Sequence, residues 1–511
     1  MKVKYICHAC LSIESRELQI VTDPWFDGPA FCKQWNVFPK PVDTDVLQNA
    51  DVILISHGHE DHLHEPSLKR LPKRASVFYP YSFFGGTKEY LEEMGFQSVR
   101  EAVAYKTYKL ADNTLVTYIA NAHDNIIVIE AGGQVIVNAN DALHAYPESV
   151  IDSYIRSLVS KWPQIDILFC GFGGANYFPN TLHIAGKDDL EIGRIREQLF
   201  AHNFCRVVAG LRPRVAVPFA ADFALLSTEQ RWINEVRFPR ASFRDYYRKH
   251  FKSGEYEPEI YDMYPGDVLD DCELRTKSPY RRQLQQRGLN RLIDEQYATE
   301  IAALKEPHLI SEAESAAFVD EIREHLEYRS RILETETLPR LKFCLRVPDI
   351  AGDNCLNIGF RGGKAGIQRS SAPASDCFLV MDISSSILQH SIRTEWGGEA
   401  IKIGYGCEIQ LLDRRAAEAN LDKLCVQLLT SYPTPVSYMK SHPLRAAKYV
   451  VRNLNHMIRN PLLRNWVLRR LKLSGKEVEN YDRNIWLLRS GQEIRQMYNL
   501  PELDREFESQ A

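Results

Sequence analysis

The spacing of apolar residues divides the chain into stretches of different texture. Asp51-Val52-Ile53-Leu54-Ile55-Ser56 is a near-continuous apolar run, the pattern of a strand covered on both faces of its sheet. Leu18-Gln19-Ile20-Val21-Thr22 is a second extended run, ended by Asp23-Pro24. Residues 76–79, 114–120, 126–130, 135–138, 165–170 and 215–219 repeat the theme, and Gly132-Gly133 joins two of these runs as a hairpin. Residues 147–161 and 188–203 carry helical periods between them. The alternation predicts an α/β domain over residues 1–270. Residues 271–340 change character: 280–304 and 311–335 are charged, rich in Leu, Ile and Ala, and helical in period, so a helical connector is expected. Residues 341–432 turn β-rich again. Phe378-Leu379-Val380-Met381 reads as one strand and residues 400–406 as another, within a smaller α+β lobe. Residues 433–511 read as a tail of short helices broken by Pro443 and Pro461.

No run reaches the roughly 18 apolar residues of a membrane span, so no transmembrane segment is expected. The start, Met1-Lys2-Val3-Lys4-Tyr5-Ile6-Cys7, has two lysines without an apolar stretch behind them. No secretory leader is expected, and the cytoplasm is the default location. Lys and Arg number 63 against 67 Asp and Glu, a formal charge of −4. That excludes a uniformly basic protein, and no nucleic-acid partner is expected. The average conceals a basic end. From Lys440 to Lys476 there are ten Lys/Arg and no acidic residue, with Trp466, Val467, Leu468 and Leu471 among Arg464, Arg469, Arg470 and Lys472. This reads as a tail packed on an acidic surface of its own chain. Alternatively it docks an acidic protein such as an electron donor, or an anionic membrane face. The eleven cysteines are odd in number and thinly scattered, which suits reduced thiols instead of a disulfide framework.

The chemistry concentrates in Ser56-His57-Gly58-His59-Glu60-Asp61-His62, directly after the buried run at 51–56. A helix would spread these side chains around its face, whereas a tight loop at a strand end can turn them all inward. His57 and His59, two apart, can chelate one metal from the same side. Asp61 and His62 can serve a second. Imidazole and carboxylate donors suit zinc, iron or manganese without thiolate. The plain alternative is a polar turn that happens to be histidine-rich.

The H-x-H-x-D-H pattern resembles the metallo-β-lactamase-fold superfamily. The resemblance implies an αββα sandwich with a dinuclear site at one edge. It also implies a later His for the first metal, matched by His123, and a bridging Asp after a further strand, matched by Asp141. Asp23 corresponds to an aspartate that supports the histidine loop from behind. His8 fits a pattern in which an early His lies close to that loop, and Asp61 and His8 are the candidate catalytic residues. Hydrolases of the superfamily place one more His after the strand equivalent to Ala216-Val217-Pro218, where this chain continues Phe219-Ala220-Ala221-Asp222-Phe223. Asp222 is the candidate oxygen ligand there, with His144, His183 and His202 as distant substitutes.

The flanking sequence narrows the likeness. Asp23-Pro24-Trp25-Phe26-Asp27-Gly28-Pro29-Ala30-Phe31 with Gln34-Trp35, Gly173-Gly174-Ala175, and Arg212-Pro213-Arg214-Val215-Ala216-Val217-Pro218-Phe219-Ala220 are similar to segments of CMP-N-acetylneuraminate hydroxylases. So is Ile392-Arg393-Thr394-Glu395-Trp396-Gly397-Gly398-Glu399-Ala400-Ile401-Lys402-Ile403-Gly404-Tyr405. That family has Pro-Phe-Ala where hydrolases carry the His. Its Rieske domain needs paired Cys-x-His and Cys-x-x-His segments, and Cys7-His8-Ala9-Cys10 has no second pair nearby. Electrons are therefore expected from a partner, the substrate or a reductant.

These readings favour a dinuclear, metal-dependent oxidation of a small polar substrate by a hydroxylase-like enzyme, with iron ahead of zinc or manganese. A zinc hydrolase of an ester, lactone, amide or phosphodiester is the alternative, and a non-catalytic metal-binding scaffold a further one. Gly171-Phe172-Gly173-Gly174 and Gly359-Phe360-Arg361-Gly362-Gly363-Lys364 fit neither a dinucleotide fingerprint nor a P-loop, and read as tight turns. Asn176, Tyr177 and Arg212 are candidates for the substrate mouth. The lobe at 341–432 reads as a lid or dimerisation domain before a lipid-carrier-like one, which leaves an oligomer open.

Overall fold

The computed structural model describes residues 1–502, apart from 122–123, 147, 175–180, 307, 333–340, 362–363, 396, 434 and 460–489. Alternation along the strands sets its layers, because successive side chains leave a strand on opposite faces. In strand Asp124–Ala131, Ile127 and Ile129 share a buried cluster with Val3, Leu11, Ile20, Leu54 and Phe78 of a facing sheet. Ile126 and Val128 turn the other way, onto Ile151, Leu158, Phe204 and Val208 of helices Glu148–Lys161 and Asp189–Leu211. Behind the facing sheet, Val21, Ile53 and Val77 pack with Leu47, Leu68 and Leu91 of three short helical segments. Helix, sheet, sheet and helix thus stack as an αββα metallo-β-lactamase sandwich.

One sheet has eight strands, in the order Glu273–Arg275, Val268–Asp270, Lys2–Cys7, Cys10–Glu14, Gln19–Thr22, Val52–Leu54, Ser76–Pro80, Ser98–Ala102. Its last four are mutually parallel. The other has seven, with Gln134–Asn140, Ile167–Gly171 and Val215–Phe219 parallel side by side. Loops at the carboxyl ends of these parallel strands carry Asp23, the histidine loop, Asp141 and Asp222 to one edge of the sandwich.

A third, six-stranded sheet begins with Leu182–His183 and continues through Cys407–Leu411, Leu379–Ile383, Phe343–Arg346, Cys355–Arg361 and Lys364–Ser370. The lobe therefore recruits a strand from far upstream. It also packs Phe318, Ile322 and Leu326 of helix Glu312–Ile332 against Leu345, Leu356 and Met381.

Three expectations change. Residues 400–406, read as a strand, form helix Glu399–Lys402 and a turn with Tyr405 in the left-handed region at φ 62°. The buried apolar positions, 400, 401 and 405, do not alternate as those of a half-buried strand would. The helical stretch 280–304 is three helices, Tyr280–Arg287, Leu289–Gln296 and Ala298–Leu304, the first break falling at Gly288 with φ 76°. Gly173 and Gly174 serve close packing: a Cβ would lie 2.7 Å from the Ala221 Cβ and 2.5 Å from Phe200. In the tail, helices Pro435–Ser441 and Pro443–Arg459 are described. Pro461, Arg464, Trp466, Arg469, Arg470 and Lys472 lie outside the described residues.

Candidate metal centre

The histidine loop starts where strand Val52–Leu54 ends, and its backbone is pinned from behind. Asp23, fully buried, accepts from the Ser56 backbone N–H at 2.7 Å through Oδ1. Its Oδ2 lies 3.1 Å from His62 Nδ1. The ring's other nitrogen, Nε2, faces Asp141 at 3.3 Å and Asp61 at 3.6 Å. The Ser56 hydroxyl bridges His57 Nδ1 at 2.9 Å and His62 Nδ1 at 3.3 Å. His57 Nε2 points at His59 Nδ1, 2.8 Å away, and lies 3.8 Å from Asp124 Oδ1.

Two groups of donors converge in this way. One is His57, His59 and Asp141, the other His8, Asp61 and His62. Asp61 Oδ1, Asp141 Oδ1 and His62 Nε2 are buried and find no hydrogen-bond partner among the described residues. Buried polar atoms are ordinarily satisfied, so inward-facing oxygens and an imidazole nitrogen left bare together fit a site for cations. All eleven cysteines are free thiols and none joins these groups.

His8 stands apart from the other imidazoles. The Asp222 backbone N–H donates to its Nδ1 at 3.1 Å, so that nitrogen cannot carry a proton. The ring proton sits on Nε2 and is donated to Asp61 Oδ2 at 3.0 Å. His8 thus lacks an outward lone pair and holds Asp61 instead of competing with it for a cation. The backbone at His8, Asp23, Asn140 and Ala220 is left-handed, with φ of 48°, 36°, 33° and 55°. Such conformations cost about 1–3 kcal/mol each away from glycine, and their gathering at one edge is the habit of functional sites.

Asp222, the candidate oxygen ligand, is committed elsewhere. Oδ1 pairs with Arg240, while Oδ2 accepts from the Tyr5 hydroxyl and, at 3.2 Å, from the His8 backbone N–H. Its place is beneath His8, outside both donor groups. Of the distant histidines, His183 bonds Asp189 and Glu408, and His202 bonds the Tyr246 hydroxyl at 3.2 Å. His144 is buried beside Gly171 and its charge acts on Asp141. Arg212 caps helix Asp189–Leu211 and lies over the Tyr256 ring. His123, Asn176 and Tyr177 fall outside the described residues.

Charge balance in the cleft is tight. Burial alone would raise the Asp61 carboxyl, but His62, His8 and His59 outweigh it and hold it well below the usual range. Asp141 behaves alike: burial opposes ionisation and His62 wins. Burial would lower His62, yet Asp61, Asp141 and Asp23 push it well above its ordinary value. Glu60 differs, because burial carries it up to about 7 although the Phe31 backbone N–H supports its ionised form at 2.5 Å. Sequence reasoning missed Ser56, Asp124, Tyr5 and Arg240. Only Ser56 and Asp124 had a signal, their adjacency to His57 and His123.

Residues 2–152 match the family model described as the beta-lactamase superfamily domain. The chain is also similar to cytidine monophosphate-N-acetylneuraminic acid hydroxylases. For the Danio rerio protein the identity is 29% over 287 residues, covering 52% of this chain and 45% of the relative. For the Pan troglodytes protein it is 29% over 255 residues, covering 46% and 40%. The chain thus spans less than half the length of these relatives. Among solved structures, the diiron beta-hydroxylase CmlA from Streptomyces venezuelae aligns with a TM-score of 0.37 and 16% identity, over 52% of this chain and 53% of that one. A metallo hydrolase from Ignicoccus hospitalis aligns with a TM-score of 0.36 and 17% identity, over 54% and 99%.

Proposed function

We propose that the chain is a dinuclear metal-dependent enzyme that hydroxylates or otherwise oxidises a small polar substrate, with electrons delivered by a partner protein or a small reductant. The observation that carries the metal reading is the convergence of His57, His59, Asp61, His62 and Asp141, with three ligand atoms buried and unsatisfied. In this reading His57 and His59 hold the first ion, with His123 as the expected third ligand. Asp61 and His62 hold the second, and Asp141 bridges. The sandwich of residues 1–270 carries the site, 271–340 connect it to the lobe of 341–432, and the basic tail follows.

The oxidative assignment is supported by the similarity to hydroxylases over about half of the chain and by Asp222. The latter is locked to Arg240 and Tyr5, so it does not stand in for the histidine that hydrolases place after this strand. Iron bound here would supply one-electron and dioxygen chemistry. The chain's own residues do the rest. Asp23 stands 3.1 Å from His62 and His8 holds Asp61 by one hydrogen bond. The left-handed turns keep these groups in place before any substrate arrives.

Anaerobic purification followed by metal analysis and oxygen-uptake assays tests the proposal. Iron near two ions per chain, and oxygen consumption that needs both a reductant and a substrate, are expected. Zinc alone, with no oxygen uptake by iron-loaded protein, refutes the oxidative reading and turns the assignment to a hydrolase.

A further inference from the structure

Glu399 reaches the metal cleft from the lobe. Its Oε1 lies 4.0 Å from His59 Nε2, the ring nitrogen opposite the one that faces His57, and its side chain is only 13% exposed. A neutral imidazole carries one proton. If Nδ1 offers its lone pair toward His57 and the ion, Nε2 bears the hydrogen and presents it to this carboxylate.

The carboxylate is itself held. The Tyr432 hydroxyl hydrogen-bonds the Glu399 side chain and takes a further hydrogen bond from the Glu399 backbone, a donor left over at the start of helix Glu399–Lys402. The approach of these two segments demands glycine: a Cβ on Gly398 would lie 2.5 Å from Thr430 Cγ2 and 3.1 Å from Tyr432. On the other side, a Cβ on Gly404 would lie 2.6 Å from the Phe31 Cβ, and the Phe31 N–H donates to Glu60, the neighbour of His59. The Tyr405 hydroxyl donates to the Gly174 carbonyl at 3.1 Å, and the Tyr405 carbonyl accepts from Gln230. Residues 397–405 are thus clamped between lobe and sandwich with Glu399 aimed at His59.

We propose that Glu399 is a positioning residue of the metal centre, contributed by the lobe: it receives the His59 Nε2–H and holds the ring with Nδ1 toward the first ion, while Tyr432 fixes Glu399. The inference rests on the reading of His57 and His59 as ligands. Closing the gap to hydrogen-bond length takes a shift of about 1 Å in a half-buried ring. It gives the lobe a place in the site, beyond that of a lid or a dimer contact.

Cobalt(II) titration of metal-free protein, followed by its visible absorption, tests this in the full chain. Glu399→Ala should weaken the first ion about 10–100-fold and alter its absorption band, the effect common for groups that orient a ligand. Glu399→Gln, which still offers an acceptor oxygen, should recover part of the loss. Tyr432→Phe should show a smaller loss in the same direction, and its unchanged metal-free melting curve separates the effect from unfolding. If Glu399→Ala and Tyr432→Phe bind with native affinity and spectrum while His59→Ala loses an ion, this inference is overturned and the metal centre stands. If the native protein takes up no cobalt at all, the metal centre falls and the inference with it.

Discussion

Asp23 supports the histidine loop at two points. One oxygen accepts from the Ser56 backbone N–H where the loop begins, and the other lies 3.1 Å from His62 Nδ1. Asp23→Ala should therefore weaken metal binding about 10–100-fold, measured by competition with a chromophoric chelator. Native affinity in a folded variant would show that His62 needs no such support. The Asp222–Arg240 pair makes a second residue-level case. Both side chains are nearly inaccessible, and each neutralises the other in a low-dielectric setting. Arg240→Ala leaves a buried carboxylate without its cation, and about 3–5 kcal/mol of stability should be lost in urea unfolding. The contrast between these residues explains what the sequence could convey about the site. His57, His59, Asp61 and His62 are contiguous, so their convergence is local and legible. Asp222 binds Tyr5 from 217 positions away and Arg240 from 18, and no spacing rule announces that. Glu399, 340 positions from His59, is invisible for the same reason.

Elements show the same division between local and long-range information. Apolar runs at 51–56, 126–130 and 215–219 became strands because their length and β-branched content leave little else to form. Strand Leu182–His183 could not be read, since two residues carry no periodicity; its partner Cys407–Leu411 defines it. That pairing is reinforced by an ionic clamp. His183 donates through Nδ1 to Asp189 at 2.9 Å and through Nε2 to Glu408 at 2.6 Å, joining the start of helix Asp189–Leu211 to the third sheet. The hydrogen bond to Asp189, then that to Glu408, raises the imidazole to about 10. An unfolded histidine titrates near 6.5, so the folded state binds the proton more tightly. The stabilisation is complete below about pH 6.5 and fades as the pH rises through about 10. The gap in urea midpoint between the native protein and His183→Gln should be largest at pH 6 and nearly closed above pH 10. A gap independent of pH would mean that the charge on His183 contributes nothing.

For the whole molecule, metal and fold are one equilibrium. The proposed ligands come from both sheets: the histidine loop follows Val52–Leu54 of one, and Asp141 follows Gln134–Asn140 of the other. In the folded chain Asp23, Asp61 and Asp141 gather around His62 and leave buried ligand atoms unsatisfied, where cations can be held. An unfolded chain scatters the same groups and binds weakly. An ion at a concentration 100 times its dissociation constant then stabilises the folded state by about 2.7 kcal/mol, which for a domain of this size amounts to roughly 5–10 °C in melting temperature. Chelation should lower the melting temperature by about that amount per independent ion, and restored metal should reverse it. His59→Ala should keep only the share that belongs to the second ion. Because the two ions are proposed to hold opposite sheets together through Asp141, Asp141→Asn should lose more of the metal-dependent stabilisation than His59→Ala does. Equal shifts in the native protein and both variants would place the bound metal elsewhere on the surface, away from this cleft.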